Sequence, residues 1–332
     1  MARILITGAS GFIGGYLVAL ALERGDDVTA TVRASSDRTR LSDPQLHLLD
    51  LPFHDEVAMT EQLRQAGRFD WVIHNAGITK ALRRDDYWQG NLENTRRLIS
   101  ALRAAEVVPD KFLFVSSLAA LGAAPAGAPH IHTDQAPQPL TPYGESKLDT
   151  ERYLESLPTD FPWVVIRPTA VYGPWERDIL TFIRLANRGL ELTIGQHSQR
   201  LSFVHAADVA QAVFRALDNP QALHRKYIIS DGQAYHTADL GAAVRKALGK
   251  KKTFKLRLPL VLVRQVAGLA EVIGRWQNKP SPLNREKIPE LAAENWHCDA
   301  TPLFEELEFE PQHDLYTGMA DAVTWYKQNG WL

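Results

Sequence analysis

Apolar positions in the first half of the chain follow two alternating patterns. Short runs at Ile4-Leu5-Ile6, Val28 to Val32, His47 to Leu49, Trp71-Val72-Ile73, Phe112 to Val115 and Val164-Val165-Ile166 read as buried parallel strands. Between them, Gly14 to Arg24, Val57 to Ala66, Tyr87 to Ala105 and Tyr143 to Leu157 carry helical spacing. This alternation predicts an α/β fold, a doubly wound parallel sheet with helices on both faces and right-handed crossovers. From Tyr172 the pattern loosens. It predicts helices at Ile179 to Arg188 and Val204 to Ala216 and a strand at Tyr227 to Ser230 that returns to the sheet. Residues 232–332 read as a smaller, mostly helical C-terminal lobe.

The most apolar stretch, Leu258 to Trp276, is interrupted by Pro259, Arg264, Gln265, Glu271 and Arg275, so no transmembrane segment is expected. The period of Val261 to Ile273 favours an amphipathic helix packed on the core, ahead of contact with a hydrophobic substrate or a membrane surface. A β-prone run starting at Ile4 leaves no room for a targeting segment, and a cytoplasmic location is expected. The 332 residues amount to roughly two domains at about 150 residues each. Net charge is −2 with no basic stripe, which argues against a nucleic-acid partner. The single Cys298 excludes an internal disulfide framework.

The first strand runs into Thr7-Gly8-Ala9-Ser10-Gly11-Phe12-Ile13-Gly14 and then a helix. Backbone N–H groups at such a helix start, together with the helix dipole, bind a pyrophosphate. Gly8 suits the tight turn, Gly11 the close approach of phosphate and Gly14 the helix–strand packing, as in a Rossmann fold. The second strand ends in Arg33-Ala34-Ser35-Ser36, with no carboxylate before Asp37. Arg33, Ser35 and Ser36 offer a cation and hydroxyls to a 2′-phosphate, so NADP(H) is the expected cofactor, ahead of NAD(H).

Pro142-Tyr143-Gly144-Glu145-Ser146-Lys147 opens a helix, and Tyr143 and Lys147 share a face at i and i+4. A nearby ammonium lowers a phenol's pKa, which makes Tyr143 a candidate general acid/base. Ser116 and Ser117 end a strand at the ligand-binding end of the sheet, where a hydroxyl can bond the same substrate oxygen.

With these motifs, and with Asp50-Leu51, His74-Asn75-Ala76-Gly77, Asn91 and Thr95, Arg167 to Pro174, and Phe203 to His205 with Asp208, the chain resembles the extended short-chain dehydrogenase/reductase superfamily. That superfamily also holds nucleotide-sugar epimerases and dehydratases. The resemblance implies Tyr143 as acid/base, Lys147 on the nicotinamide ribose and Ser117 on the substrate oxygen. It further implies Asp50 and Leu51 beside the adenine, and Asn75, Ala76 and Gly77 near the cofactor ribose and phosphates. Asn91 would tie the sheet to the adjacent helix, and Pro168 and Val171 would line the nicotinamide pocket. Ser10, Phe12, Ile13 and Ser116 complete the expected cofactor contacts. Residues 1–171 plus about 200–231 would then form the dinucleotide-binding body, and about 172–199 plus 232–332 the substrate lobe.

Departures from the family pattern narrow the branch. Ser117-Leu118-Ala119 lacks the Asp-Glu pair of the 4,6-dehydratases, and Ala170 stands where epimerases usually carry Asn. The Val28 to Arg33 stretch resembles dihydroflavonol reductases. The segment Leu258 to Pro311, with Pro280 to Leu283, Trp296, Asp299 and Leu303 to Phe309, resembles 3β-hydroxysteroid dehydrogenase-like members. The resulting expectation is an oxidoreductase acting on a ketone or secondary alcohol of a small molecule. A nucleotide-sugar 4-epimerase with tightly held NAD, and a non-catalytic dinucleotide-binding protein, are the alternatives. Relatives imply a homodimer through a four-helix bundle, with which Ala101, Ala104, Ala105 and Leu148 are compatible. His130 and His132 lie in the loop Ala123 to Pro139 with no carboxylate cluster beside them, so no metal is expected.

Overall fold

The computed structural model describes residues 1–195, 198–277, 281 and 285–332. Six strands follow the predicted runs: β1 Arg3–Thr7, β2 Asp27–Val32, β3 His47–Asp50, β4 Trp71–His74, β5 Lys111–Val115 and β6 Trp163–Pro168. With Lys226–Ile229 they form one seven-stranded sheet, ordered (Lys226–Ile229)-β6-β5-β4-β1-β2-β3. Every pairing in it is parallel.

Strand periodicity explains the two layers. Ile4, Ile6, Leu113, Val115, Val164 and Ile166 enter a core with Leu17 and Val18 of helix α1 (Phe12–Glu23) and Val209 and Val213 of the helix Ala206–Asp218. Their neighbours Leu5, Phe112, Phe114 and Val165 point the other way, onto Met59 and Leu63 of α2 (Glu56–Ala66) and Leu98 and Leu102 of the helix Asn94–Ala104. A third cluster joins Tyr172, Ile183, Tyr235, Leu315 and Met319 in the C-terminal part of the chain.

Several predicted elements differ in the structure. The helix expected over Tyr87 to Ala105 contains a π turn at Gln89–Glu93, between the helices Arg84–Trp88 and Asn94–Ala104. Phe203–His205 is a strand, paired with Ala170–Tyr172, and the helix begins at Ala206. The C-terminal lobe also contains small strands. Tyr235–His236 and Asn295–Trp296 flank Arg200–Leu201, and Phe254–Leu258 pairs with Leu190–Ile194. Pro280 and Leu283 lie outside the described residues.

The helix Leu260–Trp276 corrects the expectation of core packing. Val263 and Ala267 are buried, but Val261, Val266, Leu269, Val272 and Trp276 are exposed. Periodicity finds an apolar face and does not say what covers it. No helix among the described residues is long and apolar enough to cross a membrane.

The residues considered for a dimer contact are mostly consumed by the subunit's own packing. Ala101, Ala105 and Leu148 are buried, and only Ala104 is exposed. The outer side of that helix presents Arg96, Ser100 and Arg103 instead.

Candidate active site

The glycine-rich turn is fixed by contact with the loop after β4. Gly8 has φ +68°, and a Cβ there would fall 2.7 Å from the Ala76 amide nitrogen. A Cβ on Gly14 would lie 2.1 Å from the Gly8 carbonyl oxygen, so both positions require glycine. The Asn75 side chain donates to the Gly8 carbonyl at 3.3 Å, which ties the two loops together. Gly11 caps α1 without a side-chain bond, and the first-turn N–H groups are directed out of the helix end. Ser10, Phe12 and Ile13 sit at that end.

A chain of hydrogen bonds holds this floor. The Ala76 amide donates to Thr7 Oγ1 at 3.0 Å, and Thr95 Oγ1 donates to the Asn91 carbonyl at 2.6 Å. The Thr7 hydroxyl proton is then directed at His74 Nδ1, 2.8 Å away, and Thr95 accepts from His74 Nε2 at 2.9 Å. His74 is therefore a neutral ring protonated on Nε2. Burial, with the Lys147 charge acting in the same direction, lowers its pKa to about 3. The π turn places Asn91 inward. Its side chain accepts from the Ile78 amide at 2.8 Å and donates to Ser146 at 2.8 Å, which joins the β4 loop to the helix Pro142–Glu155.

Thr141 caps the helix Pro142–Glu155 and Pro142 occupies its first position, so Tyr143 and Lys147 project from the first two turns. Tyr143 is half-buried. Burial pushes its phenol up to about 12, against a lowering hydrogen bond from Ser117. This differs from the expected ammonium-depressed phenol. Lys147 is buried and donates to the Val115 carbonyl at 2.9 Å, with Nζ 4.6 Å above the Phe114 ring. Its own pKa is lowered to about 8 by burial, with Glu151 opposing. A Cβ on Gly77 would lie 2.7 Å from Asn91 Oδ1 and 3.3 Å from Lys147 Nζ, so Gly77 lets this loop pack closely against Asn91 and the amine.

The remaining predicted contacts separate into two groups. Arg33, Ser35 and Asp50 are exposed at the ends of β2 and β3, and Pro168 and Val171 sit at the end of β6 and just beyond it. Asp37 accepts from both the amide and the hydroxyl of Thr39, at 3.0 and 2.6 Å, so the nearest carboxylate is already engaged. By contrast, Ser36 accepts from the Arg33 amide at 2.9 Å and closes a turn. Ser116 donates to Glu151 at 2.5 Å, away from the turn. The Leu51 side chain is in the core under the sheet, so only its backbone is left for a ligand.

Sequence proximity missed three features. Glu151 is fully buried against Arg167, with Arg167 Nη2 donating at 2.6 Å, and Lys226 reaches it at 3.5 Å. Tyr143 is bordered by Tyr87, with ring centroids 6.4 Å apart, and by Lys287, whose ammonium is 6.0 Å from its ring centre. Finally, a parallel bridge pairs Ile131 with Cys298. Ile131 and Cys298 are buried, and burial pushes the thiol up to about 11. That register brings Asp299 beside the histidines that had seemed to lack a carboxylate, with ligand atoms of His130, His132 and Asp299 within 4.8 Å of one another.

The profile of the NAD dependent epimerase/dehydratase family matches residues 4–230. A ceramide reductase of Caulobacter vibrioides is 26% identical over 331 residues, covering 99% of this chain and 96% of that protein. A UDP-glucose 4-epimerase of Vibrio cholerae is 28% identical over 288 residues, covering 82% and 84%. Among solved structures, the UDP-glucose 4-epimerase of Thermotoga maritima superposes with a TM-score of 0.78 at 21% identity, covering 98% and 99% of the two chains.

Proposed function

Because the chain belongs to the NAD-dependent epimerase/dehydratase family, and is thus an enzyme of the extended short-chain dehydrogenase/reductase type, we propose that it reduces a ketone on a ceramide-type lipid with NADPH. The observation that carries this reading is the placement of Tyr143 beside Ser117, with a phenol that burial pushes further up and that keeps its proton well past neutrality. A neutral phenol is the proton donor that carbonyl reduction needs.

The glycine floor fits a dinucleotide. Gly8 and Gly14 let the turn, the loop after β4 and α1 pack backbone against backbone, and α1 presents its N-terminus, without a side-chain cap, to a pyrophosphate. When bound, the nicotinamide supplies the hydride. Tyr143 then transfers its proton to the oxygen that receives the carbonyl electron pair. Ser117 holds that oxygen by a hydrogen bond and keeps the phenol aligned. Lys147, one helical turn on, places a positive charge near the phenolate left behind and offers donors to the ribose. Arg33 and Ser35 take the 2′-phosphate. In this scheme the sheet-bearing body binds cofactor, and residues of about 172–199 plus 232–332 shape the lipid site.

The full-length match to the ceramide reductase and the Ala170 departure favour net reduction over epimerisation, and Ser117-Leu118-Ala119 speaks against dehydration. The test is NADPH oxidation by a long-chain N-acylated keto lipid, with one alcohol formed per NADPH consumed. The same assay with UDP-glucose probes the epimerase alternative.

A further inference from the structure

All but three of the exposed large apolar side chains among the described residues lie on two consecutive elements. Phe254 and Leu256 are exposed on the strand Phe254–Leu258. Val261, Leu262, Val266, Leu269, Val272 and Trp276 follow on the helix Leu260–Trp276, where their spacing forms one face. The same segment, residues 250–277, holds seven Lys or Arg and one Glu, although the whole chain has 37 against 39 acidic groups. Lys251, Lys252, Lys255, Arg257 and Arg264 are exposed around the apolar face.

We infer that this face docks the enzyme on a bilayer containing anionic lipid, with the helix lying in the interfacial plane. The aromatic ends, Phe254 and Trp276, suit the headgroup level, and the basic rim complements anionic headgroups. A second copy fits less well. A two-fold contact would set the same cationic rim against itself, and interface cores are depleted of charge.

The inner side of the helix leads toward the reaction centre. Glu271 accepts from the Arg285 amide at 2.5 Å, and the turn Arg285–Lys287 ends in the ammonium that lies over Tyr143. Thr141, the cap of the Tyr143 helix, donates to Glu290 at 2.9 Å. Docking would therefore hold the Tyr143 side of the enzyme close to the bilayer. The inference stands on the surface alone and is tested without any substrate.

The test is co-sedimentation of the full chain with vesicles of phosphatidylcholine, with or without phosphatidylglycerol. The enzyme should pellet with the anionic vesicles, and its apparent affinity should fall about tenfold or more on neutral vesicles. A Leu269→Glu, Val272→Glu variant changes only exposed positions, so it should keep its circular dichroism and NADPH fluorescence titration while losing vesicle binding. The inference is overturned if the native enzyme stays in the supernatant, or if the variant pellets equally well. A concentration-dependent dimer that the variant abolishes would also overturn it, by assigning the face to a second copy.

Discussion

Lys147 donates to the carbonyl of Val115, 2.9 Å away at the end of the strand that delivers Ser116 and Ser117. One bond thus fixes the amine to the same sheet end as those two serines. Burial lowers this amine to about 8, with Glu151 opposing. The protonated form, proposed to hold the cofactor ribose, is complete well below that pH and is lost as pH rises through it. Affinity for the anionic dinucleotide should therefore hold to neutrality and then fall, approaching about tenfold per pH unit above that point. A fluorescence titration of NADPH against pH checks this. Lys147→Met should bind more weakly and lose the inflection, and an unchanged inflection would assign it to another group.

Arg33 is expected to select the cofactor. Arg33→Ala should weaken NADPH by about tenfold to a hundredfold, the range of a lost charge-assisted hydrogen bond, and leave NADH nearly unchanged. Parallel titrations with both nucleotides decide. Equal losses would move Arg33 out of the 2′-phosphate site.

His74 makes stability depend on pH with a definite sign. Its pKa is about 6.5 when unfolded and about 3 when folded, so the unfolded chain binds more protons between these values. Stability from this ring is complete above the unfolded value and is lost as pH falls toward the folded one. Between pH 6.5 and 5 the native protein should lose about 2 kcal/mol more than His74→Gln does. Urea unfolding at the two pH values measures the difference.

The buried Glu151 is expected to be structural. Glu151→Ala leaves Arg167 as an uncompensated buried cation and should cost about 3–5 kcal/mol. Glu151→Gln should recover part of this through retained hydrogen bonds, as denaturant midpoints would show.

Local signals were readable in the sequence. The six strands β1 to β6, the glycine turn and the Tyr143–Lys147 spacing depend on neighbours within a few residues. What depends on distant partners was not. Ser116 looked like a ligand contact until Glu151, 35 residues on, was seen to accept its proton. Leu51 and Ala101 looked available until the layers closed over them. Asp299 came to the histidines of the 130s only through the bridge at Ile131. Tyr143's environment was also hidden, because desolvation, the largest influence on its phenol, is a property of the folded body.

The most direct measurement compares native enzyme with Tyr143→Phe, following reduced-nicotinamide absorbance with a long-chain N-acylated keto lipid. The native enzyme should consume NADPH and form alcohol in equal amounts. The variant should bind NADPH normally and turn over about 10²- to 10⁴-fold more slowly. Full turnover by Tyr143→Phe, or interconversion of UDP-sugars with no net use of NADPH, would contradict the account.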